Sequence, residues 1–578
     1  MCNFVSEMRK FTFFYIICAI FLLPPGLFAQ SRGFKGFQTG QPLHEIRAVW
    51  LATIGGIDWP HSYARYGNGE KTQQKELCTI LDQLVDAGIN TVMLQCRIRG
   101  TVIYPSAMEP WDGCLSGKPG ESPGYDALEF AVRECHKRGL KVHAWMVTIP
   151  VGSWQGAGCV NLRNTHPELL KKIGDDGFLD PEKSGVADYI ASLCREVAVR
   201  YDIDGIHLDY IRYPETWGKI SNKAKARENI TRIVKAASVA VKSVKPWVAM
   251  SCSPVGKYAD TKRAWAHGWN ARDIVCQDAV RWLEEGSMDA LFPMMYFKDK
   301  NFYPFLVDWQ ERSCGKLVVP GLGIYFMHPA EKDWALSDIT REMMVSRQLG
   351  MGMCMFRSKF LIDNTKGIYD YTKTLYSVHP VLQPAMTWLD NIPPMAPKEM
   401  VTEIMQGGGL MLRWKPSGHT NTDGGILYNV YGSTDDAVDT QKPENILAVN
   451  YDGCSIEIPH SNIKSFAVTA VDRYGNESAP VTVRVGNVND VDDGKTGSCA
   501  QLFCDGKRLC LDGSDVSEGQ LIEYQSFVGT SLTSRFVTRK DGKLMADISG
   551  LQIGHYKVYV INIKGHRHLL GTFSVNPW

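Results

Sequence analysis

The sequence predicts an α/β fold, a (β/α)8 TIM barrel, followed by two small all-β sandwich domains. Three observations carry that prediction. From Arg47 to about Val378, eight short apolar runs alternate with amphipathic helical stretches, the pattern of a barrel of parallel strands with helices between them. His379 to Pro397 then ends the alternation, because Pro380, Pro384, Pro393, Pro394 and Pro397 forbid a continuous helix. Beyond that stretch apolar residues recur at every second position, the period of half-buried strands. The chain has 578 residues, too many for one core at ~150 residues per domain.

The elements follow in order. Arg9 and Lys10 precede an apolar run, Phe11 to Leu23, which Pro24, Pro25 and Gly26 break. With Ala29 as a small residue for cleavage, this predicts a signal peptide over 1–29 and an exported protein, periplasmic, cell-surface or secreted. The run is shorter than the ~20 residues a membrane span requires. An uncleaved anchor is the alternative. Cys18 follows Ile16 and Ile17 rather than a small residue, which disfavours lipidation. No later segment is long and apolar enough to span a membrane.

The barrel region covers 44–380. Its strands are expected at Arg47–Ile54, Asn90–Arg97, Lys141–Val147, Asp204–Tyr213, Trp247–Pro254, Asp289–Phe297, Leu317–Tyr325 and Gly352–Phe360, with helices such as Thr72–Ala87, Ala127–Arg138, Gly185–Tyr201 and Asn222–Val244 between them. Gly88 and Gly139 follow two of these helices, where a left-handed C-cap is wanted. A doubly wound open sheet is the alternative, but no GxGxxG turn follows the first strand. After the linker, strands are expected at Leu410–Trp414, Leu427–Tyr431 and Ser465–Val471, in a module spanning 393–487. An acidic linker, Asp490 to Gly497, leads to a last strand-rich module over 498–578, whose Tyr556–Ile561 and Leu569–Val575 flank a turn at Gly565.

Composition narrows the function. The formal net charge is +1, and no basic run is interleaved with aromatics, which excludes a nucleic-acid partner. Fifteen Trp and 23 Tyr provide flat faces for sugar rings as well as core filling. The 16 cysteines are scattered through predicted helices and strands, such as Cys78, Cys96, Cys135, Cys194 and Cys252. They read as thiols, with one bridge open among Cys499, Cys504 and Cys510. No CxxC, HExxH, GxSxG or P-loop is present, so no metal and no cofactor is expected. His566 and His568 form a His-x-His beside the Gly565 turn and read as a solvated hairpin.

In such a barrel reactive groups gather at the C-terminal ends of the strands. The fourth run, Asp204-Gly-Ile-His-Leu-Asp-Tyr-Ile-Arg-Tyr-Pro214, is the richest. Strand alternation places His207 and Asp209 on one face, toward the interior. A carboxylate and an imidazole are costly there unless paired or functional. Glycoside hydrolysis needs two carboxyl groups flanking the bond. Asp209 is the first choice, as nucleophile or electrostatic stabiliser; the alternative is a structural Asp209–Arg212 pair. The second carboxyl is open among Asp299, Glu215, Asp58 and Glu109, with Asp299 first and Glu215 next. Trp50, Arg97, His143, Trp145, His207, Arg212 and Tyr296 are the expected substrate-binding residues.

Several of these segments come in a familiar order. Glu45-Ile-Arg-Ala-Val-Trp-Leu51, Gly88 to Arg97, Gly139-Leu-Lys-Val-His-Ala-Trp145, Asp204 to Pro214 and Gln277-Asp-Ala-Val-Arg-Trp282 resemble glycoside-hydrolase-like family 10 over roughly 44–370. The resemblance implies a TIM barrel, export from a bacterium and action on a polysaccharide, bacterial or dietary, peptide-free peptidoglycan strands included, with Asp209 at the family's acidic position. The sixth run departs from the pattern: Pro293-Met-Met-Tyr296 stands where the family commonly has Pro-Gln-x-Tyr, so a sugar-binding amide is missing at Met294. The 393–487 segment, with Trp414, Tyr428 and Ala467 to Ser478, resembles a fibronectin type III domain. A binding barrel without turnover and a surface scaffold protein are the competing readings.

Overall fold

The computed structural model describes residues 40–65, 67–264, 268–405, 409–417, 424–459 and 462–485, and, in a second compact unit, 504–505, 508–511, 521–526, 532–540, 543–548, 551, 554–561 and 567–575. The predicted signal peptide (1–29), Cys499, Gly565 and His566 lie outside the described residues.

Eight parallel strands form the barrel: β1 (Arg47–Leu51), β2 (Thr91–Arg97), β3 (Lys141–Val147), β4 (Gly205–Asp209), β5 (Ala249–Cys252), β6 (Ala290–Leu291), β7 and β8 (Met353–Phe356). β7 is split by Pro320, which cannot donate to a ladder, into Leu317–Val318 and Gly321–Leu322. The split shows how the ring closes. The first half of β7 pairs with β6, the second with β8, and β8 pairs with β1. Trp50 in β1 thus has Met93 of β2 on one side and Phe356 of β8 on the other.

Helices α1 (Gly69–Asp86), α2 (Ala127–His136), α3 (Gly185–Arg200), α4 (Lys223–Lys242), α5 (Ala279–Glu284), α6 (Tyr303–Glu311) and α7 (Leu336–Gln348) follow the first seven strands. Asp126 caps α2 by accepting from the Glu129 amide, and Asn222 caps α4 by accepting from the Lys225 amide. Gly88 (φ 76°) and Gly139 (φ 70°) adopt the left-handed conformation past α1 and α2, so both expected C-caps are there.

The strands are shorter than the apolar runs. The fourth ends at Asp209 because Tyr210 turns into a left-handed conformation (φ 55°). The sixth stops at Leu291, with only an isolated bridge at Met294 beyond Pro293. The eighth gives way to a short helix, Ser358–Ile362. An insertion after β3 went unread in the sequence: Pro150–Ser153, Leu170–Ile173 and Asp176–Leu179 form a small antiparallel sheet with the helix Ala157–Thr165.

Side chains fill the barrel. Ala48, Trp50, Met93, Trp145, Ala290, Phe292, Val319 and Cys354 pack inside it. The N-terminal end is tied by buried ions. Glu45 accepts from Arg47 Nε (2.7 Å), Arg347 Nε (2.8 Å) and Nη2 (2.7 Å), and the Tyr376 hydroxyl (2.9 Å). Asp289 accepts from the Met250 amide (2.8 Å) and the Trp388 indole (3.0 Å), with Lys242 Nζ at 2.8 Å.

Residues 398–484 build a three-stranded sheet (Lys398–Ile404, Leu410–Lys415, Ser455–Ile458) and a four-stranded one (Leu427–Ser433, Ile446–Tyr451, Ser465–Val471, Val481–Arg484). Trp414 and Tyr428 meet edge to face in their shared core, centroids 5.3 Å apart. Arg473 of this module reaches under the barrel to Asp202 (2.8 Å) and Asp204 (3.2 Å). The second unit holds two four-stranded antiparallel sheets around Leu509, Ile522, Ala546 and Val558. Cys96, Cys135, Cys194 and Cys252 are buried free thiols. Among the described residues no helix is long and apolar enough to cross a membrane.

Candidate functional site

The barrel interior grows more polar toward the C-terminal ends of the strands. One layer down, the Trp50 indole donates to His207 Nε2 (3.2 Å), and His207 Nδ1 meets the Ser251 hydroxyl (3.0 Å), which also lies 3.4 Å from His143 Nδ1. An acceptor role at Nε2 makes His207 the neutral Nδ1–H tautomer. Burial, then the neighbouring His143, holds His207 well below the usual imidazole range. Burial pushes His143 down to about 4. Trp50, His143 and His207 are therefore neutral, buried and mutually occupied. Expected as substrate ligands, they support the floor of the site instead.

Above them stands Asp209, the last residue of β4, partly exposed. The Trp145 indole donates to its Oδ2 (3.0 Å). The Ser253 hydroxyl and the Tyr210 amide both donate to Oδ1 (2.7 Å each). Three donors, from β3, the residue after β5 and the β4 loop, thus fix one carboxylate at the mouth, with no cation in ion-pair contact among the described residues. Trp145 is an orienting partner of Asp209 through its indole N–H. Ser253 is a residue the sequence reading missed. A serine near the end of the fifth run carries no signal until the register shows that it faces Asp209.

An aromatic wall rises over β6 to β8. Tyr296 packs on Phe356 (centroids 5.4 Å) and on Tyr325 (5.8 Å, edge to face), and Tyr325 on Phe356 (5.7 Å). Burial raises the Tyr296 phenol, with Cys354 and Asp209 among the charges that act on it. Burial pushes Tyr325 up to about 12, so both phenols stay protonated donors. Met294, partly exposed, is held by its own amide on the Pro254 carbonyl (2.9 Å).

The loop after β4 carries a second cluster. Arg212 Nη2 donates to Glu215 Oε1 (2.8 Å), and the Tyr210 hydroxyl donates to Glu215 Oε2. Burial raises Glu215, but the Arg212 charge and these hydrogen bonds outweigh it and hold the carboxyl below its usual range. Glu215 is thus kept ionised and suits a base or stabiliser better than a proton donor. The exposed indole of Trp269 (43%) faces Arg212 at 5.7 Å.

The other expected groups are elsewhere. Arg97 is wholly buried. Its guanidinium is taken up by Glu109 (2.6 and 2.7 Å) and by the carbonyls of Val147 and Thr148, so Arg97 and Glu109 are a strut from the end of β2 to the loop beyond it, not ligands. Asp58 is buried against Arg357 and the Ala52 amide; burial raises its carboxyl despite Arg357. Asp299 begins a short 3-10 turn, exposed. Its charge acts on Lys298, Tyr303 and Glu342 of the helical layer. The structure thus brings Asp209, Trp145, Tyr296, Arg212 and Glu215 to the mouth and sets Asp299 among the helices. Among the described residues no cluster of three or more His, Cys, Asp or Glu is placed to hold a metal.

Comparison with known proteins gives a consistent set of likenesses. A model of the family described as glycosyl hydrolase-like 10 matches residues 45–325. The chain is 29% identical over 478 residues to the glycosyl hydrolase YngK of Bacillus subtilis (strain 168), covering 75% of this chain and 92% of that one. It is 32% identical over 310 residues to the glycosyl hydrolase DigH of Escherichia coli (strain K12), covering 47% of this chain and 70% of that one. Among solved structures, the glycoside hydrolase domain of PgaB (BpsB) from Bordetella bronchiseptica is 13% identical with a TM-score of 0.39, covering 57% of this chain and 98% of that one. A likeness that distant adds nothing to the strand order that closes the barrel here.

Proposed function

This chain belongs to the glycosyl hydrolase-like 10 family, and from that premise we propose that it hydrolyses glycosidic bonds in a bacterial or dietary polysaccharide, peptide-free peptidoglycan strands among them. One observation carries the reading: the partly exposed carboxylate of Asp209 at the end of β4, oriented by Trp145, Ser253 and the Tyr210 amide. A two-carboxylate mechanism also needs a partner. Of the four acids open at the outset, Glu215 lies on the loop that follows Asp209, the Tyr210 amide donating to Asp209 and the Tyr210 hydroxyl to Glu215. Held ionised by Arg212, it fits a base or stabilising role, and Asp209, with three donors on its oxygens, fits the role of nucleophile or electrostatic stabiliser. Tyr296, Tyr325 and Trp269 supply faces for sugar rings.

The apolar run near the N-terminus supports export, where such a substrate is met. The two sheets at 398–484, with Trp414 against Tyr428, support a fibronectin type III-like module. Met294 favours a second reading, a barrel that grips glycan without cleaving it, since the missing amide is a sugar-binding group. Asp209→Asn separates the two. A hydrolase loses turnover on purified glycan strands by about 10²–10⁴-fold, read as new reducing ends, and still binds them. Binding by the parent chain with no turnover on any glycan screened ends the hydrolase reading.

A further inference from the structure

We propose that Gln95 binds the glycan, its side-chain amide donating to an oxygen of the sugar unit held beside Asp209. The proposal rests on the glycan reading above and adds to it a residue on the wall that β2 contributes to the mouth.

Gln95 lies two residues past Met93, which packs inside the barrel, so it faces the interior one step nearer the mouth. Its register partner on β3 is Trp145, whose indole donates to Asp209. The side-chain amide is fixed from one side. Its Oε1 accepts from the Thr53 amide (3.0 Å) and the Ile54 amide (2.9 Å), and the Thr53 hydroxyl donates to the Gln95 carbonyl (2.7 Å). Two backbone N–H groups on one atom identify that atom as the oxygen, since an amide nitrogen cannot accept from them. The other corner of the amide is therefore the NH2, and its direction is set. Among the described residues nothing accepts from Nε2, yet this nitrogen is not one of the partnerless atoms sealed inside the protein. Gln95 is 4% exposed, and that small opening includes Nε2. A side-chain amide so nearly buried is rarely left with both donors unanswered.

Holding the loop after β1 explains only half of the side chain. The short turn Ile54–Gly56 follows β1 and is pinned through Oε1. A carboxylate oxygen would accept from the same two amides more strongly than an amide oxygen does, so the loop by itself calls for glutamate. Glutamine instead brings two N–H donors and no charge. Fixed donors that open on the mouth beside Trp145 suit a hydroxyl, ring or glycosidic oxygen of a bound sugar. The neutral group also spares Asp209 a second negative charge on the same wall.

Gln95→Glu separates the two roles, because it keeps the oxygen that holds the loop and removes the donors. Gln95→Met removes both. Binding to purified peptide-free glycan strands is measured by titration calorimetry with the full chain in the Asp209→Asn background, so that nothing is consumed and position 209 carries no charge. Gln95→Glu should keep the urea midpoint of the parent and bind at least ~10-fold more weakly, the penalty a polar site pays for a missing match. The loss should persist in about 0.5 M NaCl, which screens a purely electrostatic repulsion. Gln95→Met should bind as weakly. Gln95→Glu binding within ~2-fold of the parent makes Gln95 a holder of the loop and overturns the proposal. A Gln95→Glu loss that salt abolishes, or parent-strength binding by Gln95→Met, overturns it too. Should Gln95→Glu fail to fold, a crystal structure of the Asp209→Asn chain with a bound strand fragment decides. Nε2 should lie within ~3.2 Å of a sugar oxygen, and a sugar seated out of its reach overturns the contact. The two layers fail separately. Turnover by the parent with Gln95→Glu binding unimpaired keeps the hydrolase and removes the contact, whereas weakened Gln95→Glu binding without turnover by the parent does the reverse. A parent chain that binds no strands ends both.

Discussion

The two ends of the barrel bury similar groups and treat them differently. At the N-terminal end each buried carboxylate described above is answered by several donors, and Arg47 is engaged through Nε and Nη1, with Nη2 left over. Glu45 accepts four hydrogen bonds from two arginines and a tyrosine. Asp204 meets His136 (2.9 Å), the Val142 amide (2.9 Å) and Arg473 (3.2 Å), and its burial is outweighed by these partners, so the carboxyl is held far below its usual range. At the C-terminal end Asp209 stays partly exposed and Arg212 keeps donors unanswered. Closed networks hold a structure, whereas open ones await something. Burial alone does not distinguish the two; the tally of partners does.

The largest effect tests the closed end. Glu45→Ala would leave the Arg47 and Arg347 guanidinium groups buried and unpaired. The expected loss is about 3–5 kcal/mol, read by urea unfolding of the full chain. A loss below ~1 kcal/mol would mean that these ions are hydrated and that the two ends do not differ as described.

A sharper comparison lies on a single helix. Arg347 and Glu342 both sit on α7, five residues apart. Arg347 completes the Glu45 network, while Glu342 is 1% exposed with its Oε2 unpartnered. Burial, then the charges of Asp338 and Asp299, pushes Glu342 up to about 9, against a smaller opposing effect of Lys298. Between the unfolded carboxyl range and that value the folded chain holds a proton that the unfolded chain releases, so stability falls as pH rises through this window. Glu342→Gln keeps the neutral form at every pH. It should match the parent near pH 4 and exceed it by on the order of 3 kcal/mol at pH 8. Parallel stability curves for the two proteins from pH 4 to pH 8 would show that Glu342 is answered after all.

Much of the closed end was legible in the sequence, and the open end only in part. The alternation of runs and the Gly88 and Gly139 caps follow from periodicity and from L-residue sterics, both local properties, whereas the fourth strand stops at Asp209, short of the expected Tyr213, at the left-handed turn of Tyr210. Arg97 and Glu109 were misplaced because the pairing that consumes them joins a strand to a loop twelve residues on, and no spacing rule marks such a pair. Asp299 was placed by its distance past the sixth run, but Pro293 ends that strand early and the chain bends toward the helices before Asp299 is reached. His207 was read correctly as facing inward; its depth below the mouth is set by register, which a single chain does not display.

The smallest effect tests whether the open end is built around Asp209 at all. Ser253 is 2% exposed, and its hydroxyl donates to Asp209 Oδ1 at 2.7 Å. Ser253→Ala removes one of three donors and a single oxygen from a well-packed wall, so the fold should lose no more than about 1 kcal/mol. If Asp209 must be held in one orientation to act at the scissile bond, kcat should fall by about 5–10-fold while KM stays within ~2-fold, since the sugar contacts at Tyr296 and Trp269 are untouched. A change in KM alone would move Ser253 from positioning the acid to shaping the glycan groove. No change in either would leave Trp145 and the Tyr210 amide sufficient to orient Asp209.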